Sequence, residues 1–364
     1  MSKASKIKVL ALTRYGRLAA SSRYRLIQFL PALAAAEIDV TVKPLFGNWY
    51  VRSLVDGQRP SEAKIIGAYL MRVLTLLGKQ KPDVLWIERE LLPWMPWMLE
   101  HLLLRHRTPT ILDLDDSVYH RYDLHPSRVI RKFLGRRIDR AMAAATVVTC
   151  GNPTIAARAH ESGARRIVEL PTVIDLSRYP SEPVERPVGN IFTIGWIGSP
   201  QNSPYLEVLR APLTQLAAEG QIRILVVGGR PDALKGLPVE FRPWSEETEV
   251  TALCDMDVGI MPLPDLPFER GKCGLKLLQY MAAWKPAIAS PVGINTHIID
   301  GDISGFLAGG PEEWLSAFRR LRDDPALRRS MGTSGRRHVE REYSMRYASS
   351  RLIDLIRELA PSQV

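Results

Sequence analysis

The chain has 364 residues, of which 46% are hydrophobic and 24% charged, and a net charge of +10. These are figures for a folded globular chain too long for one ordinary core, so two domains are expected and a disordered or fibrous class is excluded. Three cysteines far apart in sequence, Cys150, Cys254 and Cys273, make neither a disulfide framework nor a zinc pattern and point to a reducing cytoplasm.

No run reaches the roughly 20 apolar residues that cross a bilayer, and residues 9–12 are too short for the core of a signal peptide. The basic excess suits an acidic partner, a nucleotide or an anionic membrane. Its dispersal, with no Lys/Arg tail, argues against nucleic acid.

In chain order, residues 7–12 read as a strand, 22–36 as a helix, 39–42 as a strand and 62–77 as a helix. Then come strand 83–87, helix 93–105, strand 110–114, helix 128–144, strand 146–149 and helix 153–161. This rhythm implies parallel strands covered by helices on both faces. Residues 179–190 interrupt it with Pro180, Pro183 and Pro187 among charges, and read as a linker.

A second series follows: strand 191–197, helix 204–218, strands 222–227 and 239–241, helix 246–254, strand 258–261, helix 274–284 and strand 286–289. Helices 312–322, 325–343 and 345–359 close the chain. The expected fold class is α/β, with two Rossmann-like doubly wound domains facing a cleft. Ligands in such sheets sit outside the carboxyl ends of the strands. There is no internal repeat or low-complexity tract.

The most informative stretch is 269–290, where a loop with Gly271, Lys272, Cys273 and Gly274 runs into a helix beginning at Leu275. Backbone N–H groups at a helix start lack intrahelical partners, the helix dipole favours an anion there, and glycine lets the anion approach. Lys276 and Gln279 lie three apart on that helix, so both can share one face while Leu275, Leu278 and Ala282 turn to the core. The competing reading is a plain surface helix with two solvated lysines.

From about Phe192 to Tyr343 the chain resembles family-4 (group 1) retaining glycosyltransferases of the GT-B fold. The likeness is carried by Ile194-Gly-Trp-Ile-Gly-Ser199, Val226-Val-Gly-Gly229, the run from Asp255 to Pro262, the loop and helix above, and Ser290-Pro-Val-Gly-Ile-Asn295. The first half is similar, more loosely, to the acceptor domain of a bacterial envelope-polysaccharide subgroup. Its markers are Ser22-Arg-Tyr-Arg25, Asp113-Leu-Asp-Asp116 and Pro171-Thr-Val-Ile-Asp175.

The resemblance implies an acceptor domain over 1–180, a nucleotide-sugar donor domain over 190–343, and a last segment, 344–364, that crosses back to the first domain. It also implies transfer of a sugar from a nucleotide-diphosphate donor with retention and without a metal or other cofactor. The acceptor would be a glycan or a polyprenyl-diphosphate-linked glycan. The protein would be cytoplasmic, at the inner face of the plasma membrane.

Cleaving a glycosyl phosphate builds negative charge on the leaving diphosphate, which needs cations or N–H donors. Lys272, Lys276 and the amides of 271–275 are the candidates, with Gly198 and Ser199 lining the phosphate loop and Arg230 after Gly228-Gly229 as a further cation. Trp244 offers a face for the base, or an apolar cap beside Pro243.

The family pattern also has gaps here. Its two acidic positions hold Gly271 and Gln279, and Glu269 is offset by two. Its Arg position holds Trp196, and Gln201 or Asn202 stands near its Lys position. Gln279 can still accept one ribose hydroxyl.

In the first half, Asp115 or Asp116 can orient the acceptor hydroxyl or accept its proton. Arg23 and Arg25, on a helix that Ser21 or Ser22 can cap, would flank an acceptor phosphate. His120 and His125 read as loop histidines. The stretch 91–104, with its basic end at 105–107, reads as a helix packed on the sheet or as an interfacial helix.

Two other classes compete. One is a scaffold or regulatory protein that keeps the fold without the acidic pair. The other is an NAD-dependent oxidoreductase, disfavoured because only Gly16 follows the first strand where a Gly-x-Gly-x-x-Gly turn is needed.

Overall fold

The computed structural model describes residues 6–78, 81–104, 108–184 and 191–360. The basic residues 105–107 and residues 185–190 of the expected linker, Pro187 included, lie outside the described residues. The chain divides into two units. The first is Met1–Thr172, Gly271–Cys273 and Arg346–Val364, and the second is Val173–Arg270 and Gly274–Met345.

The first unit is built on six strands: β1 (Ile7–Tyr15), β2 (Ile38–Phe46), β3 (Val84–Glu88), β4 (Thr110–Leu114), β5 (Val147–Cys150) and β6 (Ile167–Glu169). They pair in parallel in the order β2-β1-β3-β4-β5-β6. β3 and β5 are fully buried and β4 is buried beyond Thr110, their apolar residues giving way to Glu88, Asp113 and Thr149 near the carboxyl ends, as fits a parallel sheet covered on both faces. The edge strand β2 runs past the expected 39–42 and accommodates Pro44, which an edge position tolerates.

Helices Glu62–Leu77, Trp97–Leu103, Arg137–Ala144 and Pro153–Glu161 pack side by side in that order, as crossovers of one hand between successive parallel strands require. Helix Met345–Leu359 reaches the end of Leu30–Ala35, where Arg357 donates to the Ala36 carbonyl at 3.3 Å.

The second unit has its own parallel sheet, ordered β12-β11-β10-β7-β8-β9. Its strands are β7 (Phe192–Ile197), β8 (Ile222–Val227), β9 (Val239–Arg242), β10 (Val258–Met261), β11 (Ala287–Ala289) and β12 (Gly305–Leu307). Its core gathers Ile194, Trp196, Ile224, Val226, Ile260 and Phe318. Helix Pro325–Glu342 starts at Asp324, whose carboxylate accepts from the Leu327 amide at 2.9 Å, with Pro325 in the first turn. Part of the linker stretch is held in this unit. Trp284 Nε1 and Arg336 both donate to the Pro180 carbonyl, at 3.0 and 3.2 Å.

Several expected helices are broken, each for a local reason. Residues 22–36 form Ala20–Arg25, a 3₁₀ turn Ile27–Phe29 and Leu30–Ala35, because Pro31 can only open a helix, not continue one. Residues 204–218 become a 3₁₀ run Pro200–Leu209, with Pro204 inside it, followed by Arg210–Ala218. Residues 128–144 divide into Arg128–Leu134 and Arg137–Ala144. Residues 93–105 shorten to Trp97–Leu103, because Pro96 is the N-cap and Trp94 takes a positive φ of 63°. The short strands β6 and β12 have too few residues to carry a period.

Candidate functional site

Each sheet has one point where its strand order reverses, and there the two loops part to leave a crevice. In the second unit it lies between β7 and β10. In the first it lies between β1 and β3.

At the reversal in the second unit, Gly198 follows β7, its amide donating to the Val227 carbonyl at 3.0 Å. A Cβ added to Gly198 would lie 2.5 Å from the Trp196 ring and 3.1 Å from Lys276 Cε. The loop is therefore bare backbone with the Lys276 stem lying over it, and the Lys276 ammonium stands 5.6 Å from the Trp196 ring centroid.

Gly228, after β8, has a φ of +73°, and a Cβ there would fall 2.7 Å from Trp244 Cβ and 2.8 Å from the Gly198 carbonyl. Only glycine meets both the conformation and the space. Ser199 accepts from Asn202 through its carbonyl (2.9 Å) and its hydroxyl (3.2 Å), and the Arg230 amide donates to Ser203 Oγ at 2.8 Å. Trp244 Nε1 donates to the buried Glu249 at 2.7 Å, which fixes the indole plane. Gly198, Ser199, Trp244, Arg230 and Lys276 thus gather at the carboxyl ends of β7, β8 and β9.

Helix Leu275–Ala282 starts at Gly274, which has a φ of 67°. A Cβ there would meet Ile298 Cδ1 at 2.2 Å. Leu277, Leu278 and Ala282 are fully buried, while Leu275 is only half-buried. Gln279 is buried too, so this helix is enclosed almost all round rather than lying on the surface. Glu269 is buried and accepts from Tyr205 Oη at 2.6 Å.

The loop before that helix, which the sequence presents as one continuous grip, is divided between the units. Gly271, Lys272 and Cys273 count with the first. Asn152 Nδ2 donates to the carbonyls of Gly271 (2.8 Å) and Lys272 (3.3 Å). A Cβ on Gly271 would sit 1.6 Å from Ser117 Oγ. The Cys273 thiol is enclosed, a Cβ on Gly151 would lie 2.3 Å from its sulfur, and burial pushes it well above the ordinary thiol range.

At the carboxyl ends of the first sheet, Glu88, Asp113 and Thr149 stand in register across β3, β4 and β5. Arg25 makes a bidentate pair with Asp113 (3.0 and 2.6 Å) and donates to the Leu170 carbonyl at 2.8 Å. Thr149 Oγ1 adds a bond to Asp113 at 2.6 Å. Arg25 is thus a structural cross-link between elements 88 residues apart. Arg23 is buried, its guanidinium 5.2 Å from the Tyr24 ring. Ser22 does not cap the helix. It lies inside it, donating to Glu88 Oε2 at 2.7 Å.

Asp115 and Asp116 are both engaged by Arg89, at 2.5 and 2.8 Å to Asp115 and 2.7 Å to Asp116. Burial alone would raise the Asp115 carboxyl, but the Arg89 guanidinium beside it holds it below the ordinary range. Asp115 is therefore an ionised acceptor and a weak base. Arg89 sits just past β3 with a φ of 63°, the strained backbone that clusters at functional sites. Glu88, fully buried, is pushed upward by burial, only partly offset by Arg89 and Ser22.

Around these lie Arg14, paired with Glu90 at 2.6 Å, and Arg121, which burial and the like charges of Arg14 and Arg89 push down. His120 pairs with Asp123 at 2.9 Å, and His125 Nδ1 accepts from the Ser127 amide at 3.0 Å. Sequence reading missed Arg89 and its neighbours. The signal available was Glu88-Arg-Glu90, three charges directly after an apolar strand. Among the described residues no three His, Cys, Asp or Glu side chains are grouped as metal ligands.

Residues 191–324 match the family model for glycosyl transferases group 1. No curated protein matches the chain by sequence. Among solved structures, sucrose-phosphate synthase from Thermosynechococcus elongatus aligns with a TM-score of 0.74 at 16% identity over 97% of this chain and 99% of that one. The Anabaena protein Alr3699/HepE in complex with UDP and glucose aligns with a TM-score of 0.70 at 15% identity, over 96% and 99%. A glycosyltransferase from Rickettsia africae ESF-5 aligns with a TM-score of 0.70 at 13% identity, over 99% and 100%. The chain therefore has the GT-B fold and carries a group 1 glycosyltransferase domain over 191–324.

Proposed function

We propose that this protein transfers a sugar from a nucleotide-diphosphate donor, with retention, to a glycan or polyprenyl-diphosphate-linked acceptor in building a surface polysaccharide. The carrying observation is the gathering of Gly198, Ser199, Gly228, Trp244 and Lys276 at the strand reversal of the domain that matches group 1 glycosyltransferases. The Anabaena relative's complexes with UDP and UDP-glucose support a uridine nucleotide as the first donor to try.

In this reading the second unit holds the donor. Lys276 and the amides of Leu275 and Lys276 take the charge that develops on the leaving diphosphate, with Lys272, Cys273 and Gly274 shaping the loop and Arg230 as an outer cation. Trp244 faces the base, and Gln279 serves the ribose. The first unit receives the acceptor. Asp115 and Asp116, both held in place by Arg89, orient its hydroxyl, and the leaving phosphate takes its proton. Arg23, with Arg14 and Arg121 beyond it, gives that unit a cationic lining for an acceptor phosphate. No metal ion is required, since lysine and backbone donors supply the positive charge. The dispersed cysteines support work in a reducing cytoplasm, and a lipid-linked acceptor would put it at the inner membrane face.

The test is thermal shift and transfer with a panel of UDP-, GDP-, ADP- and TDP-sugars. A donor that prefers the folded state raises the melting temperature. If no nucleotide sugar stabilises the protein, the reading fails. A second reading, a scaffold that keeps the fold, is favoured by Gly271 and Gln279 at the two acidic positions. It predicts nucleotide binding with neither transfer nor donor hydrolysis.

A further inference from the structure

The helix Glu62–Leu77 covers the first sheet with one side and leaves the other bare. Its inner side is anchored by Arg72, which donates to the carbonyls of Thr13 (2.8 Å) and Lys43 (2.9 Å), and by Tyr69, whose hydroxyl donates to the Pro93 carbonyl at 2.7 Å. On the outer side Ile66, Leu70, Met71, Leu74 and Leu77 are each 60–64% exposed. From Ile65 to Leu77 the sole charged residue is Arg72, and it is buried. An amphipathic helix of a globular protein turns charges to water. This one turns leucines.

The surface continues along the same face of the sheet. Helix Trp97–Leu103 packs beside Glu62–Leu77 and exposes Met98 by 76%, with Leu99 and Leu102 next to it. Trp94, half-exposed just before it, stands edge-on to Tyr122 at 5.0 Å and to His125 at 5.9 Å. Those rings lead to the exposed Leu124 and to helix Arg128–Leu134. There Val129 and Phe133 are exposed among Arg128, Arg131 and Lys132, with the Lys132 ammonium 5.8 Å from the Phe133 ring. Soluble monomers rarely leave contiguous apolar patches above roughly 300–600 Å² uncovered.

We infer that this face docks the first unit on an anionic bilayer. The charge pattern selects that occupant. The apolar stripe is bordered by the basic helix Arg128–Leu134, on a chain with a net charge of +10. Anionic headgroups complement such a border, whereas a second copy would bring like charge against it. The geometry also suits an in-plane contact. The 16-residue helix is about 24 Å long, short of the roughly 30 Å hydrocarbon core, and among the described residues no helix is long and apolar enough to cross a membrane. Apolar side chains enter the headgroup boundary, Trp94 sits at its level, and the arginines and lysine reach phosphates. The inference rests on the proposed function only in that a lipid-linked acceptor gives docking a purpose.

Co-flotation of the full chain with phosphatidylcholine vesicles, with and without phosphatidylglycerol, tests it. We expect binding to the anionic vesicles alone, weakened by salt. Leu70→Glu/Leu74→Glu should reduce it at least tenfold, and Lys132→Ala about fivefold. Melting temperature and the response to nucleotide sugars should stay unchanged. Should the double variant fold poorly, Met98→Glu carries the same readout. The inference is overturned if anionic vesicles do not bind, or if the Glu variants float like the wild type. It is equally overturned if the wild type is a dimer that Leu70→Glu/Leu74→Glu makes monomeric, since the face then belongs to a second copy. Vesicle binding is read without donor, so docking can hold while the glycosyltransferase reading fails, and the reverse.

Discussion

Replacing Gly271 by alanine probes why this chain carries no side chain where similar glycosyltransferases carry glutamate. The added Cβ would lie 1.6 Å from Ser117 Oγ and 2.5 Å from Ser117 Cβ, whereas ordinary contact begins at 3.4 Å. Ser117 cannot simply yield. It is fully buried and its hydroxyl donates to Tyr119 Oη at 2.8 Å. Either the backbone moves, at about 1–3 kcal/mol for overpacking, or Ser117 rotates and leaves a buried hydroxyl unpaired at about 1–3 kcal/mol. Gly271→Ala should therefore destabilise the first unit by about 1–3 kcal/mol, lowering its melting temperature by roughly 2–4 °C for each kcal/mol. Ser117→Gly removes the two nearest obstacles and leaves the Ser117 amide nitrogen at 3.0 Å. The double variant should therefore be no less stable than Ser117→Gly alone, with a coupling of about 1–3 kcal/mol. Urea unfolding of the four proteins measures this. Strict additivity, or a Gly271→Ala variant as stable as the wild type, would refute the packing argument.

Arg25→Ala should cost about 3–5 kcal/mol in urea unfolding, because the buried Asp113 loses its bidentate partner; a loss under 1 kcal/mol would contradict the pairing. Glu100 is pushed up to about 7 from 4.5, chiefly by burial, with Arg137 and the Leu92 amide offsetting only part. Its folded form holds the proton more tightly than its unfolded form, so its contribution is fully present below about pH 4.5 and lost as pH rises through about 7. Glu100→Gln should flatten the fall in stability across that window, by about 3 kcal/mol at most; an unchanged slope counts against it. Lys276→Ala should weaken donor binding about 10–100-fold in titration calorimetry while leaving the melting temperature nearly unchanged. Under the proposed mechanism, transfer should persist in EDTA, and a tenfold loss restored by Mg²⁺ would place a cation where the lysines are assigned.

The sheets were readable because a strand buried on both faces needs a mostly apolar run, and 84–88, 192–197 and 222–227 supply one, each with a single polar or charged residue. Helix interiors were less readable. Apolar period says which residues face a core but not where the chain turns, and the breaks at Pro31 and Pro204 answer to backbone sterics. The three-residue strands β6 and β12 carry no period and exist through pairing with β5 and β11.

The candidate site divides the same way. Gly198 and Gly228 were visible as punctuation after strands and Gly274 as punctuation before the helix that carries Lys276. Pairings across the first unit were not. Nothing local in Arg25 announces Asp113, or in Arg89 the carboxylates of Asp115 and Asp116. These pairs change what the residues can do. Arg25 is committed to a buried carboxylate, so a phosphate would have to outcompete a bidentate, desolvated partner. Asp115, depressed by Arg89, binds a hydroxyl better than it removes a proton. Gly271 likewise changes meaning. In sequence it is a missing glutamate; in the fold its missing side chain is the room Ser117 occupies, so an acidic group cannot be restored there by one substitution. Sugar contact, if it occurs on this loop, must come through the backbone that Asn152 holds in place.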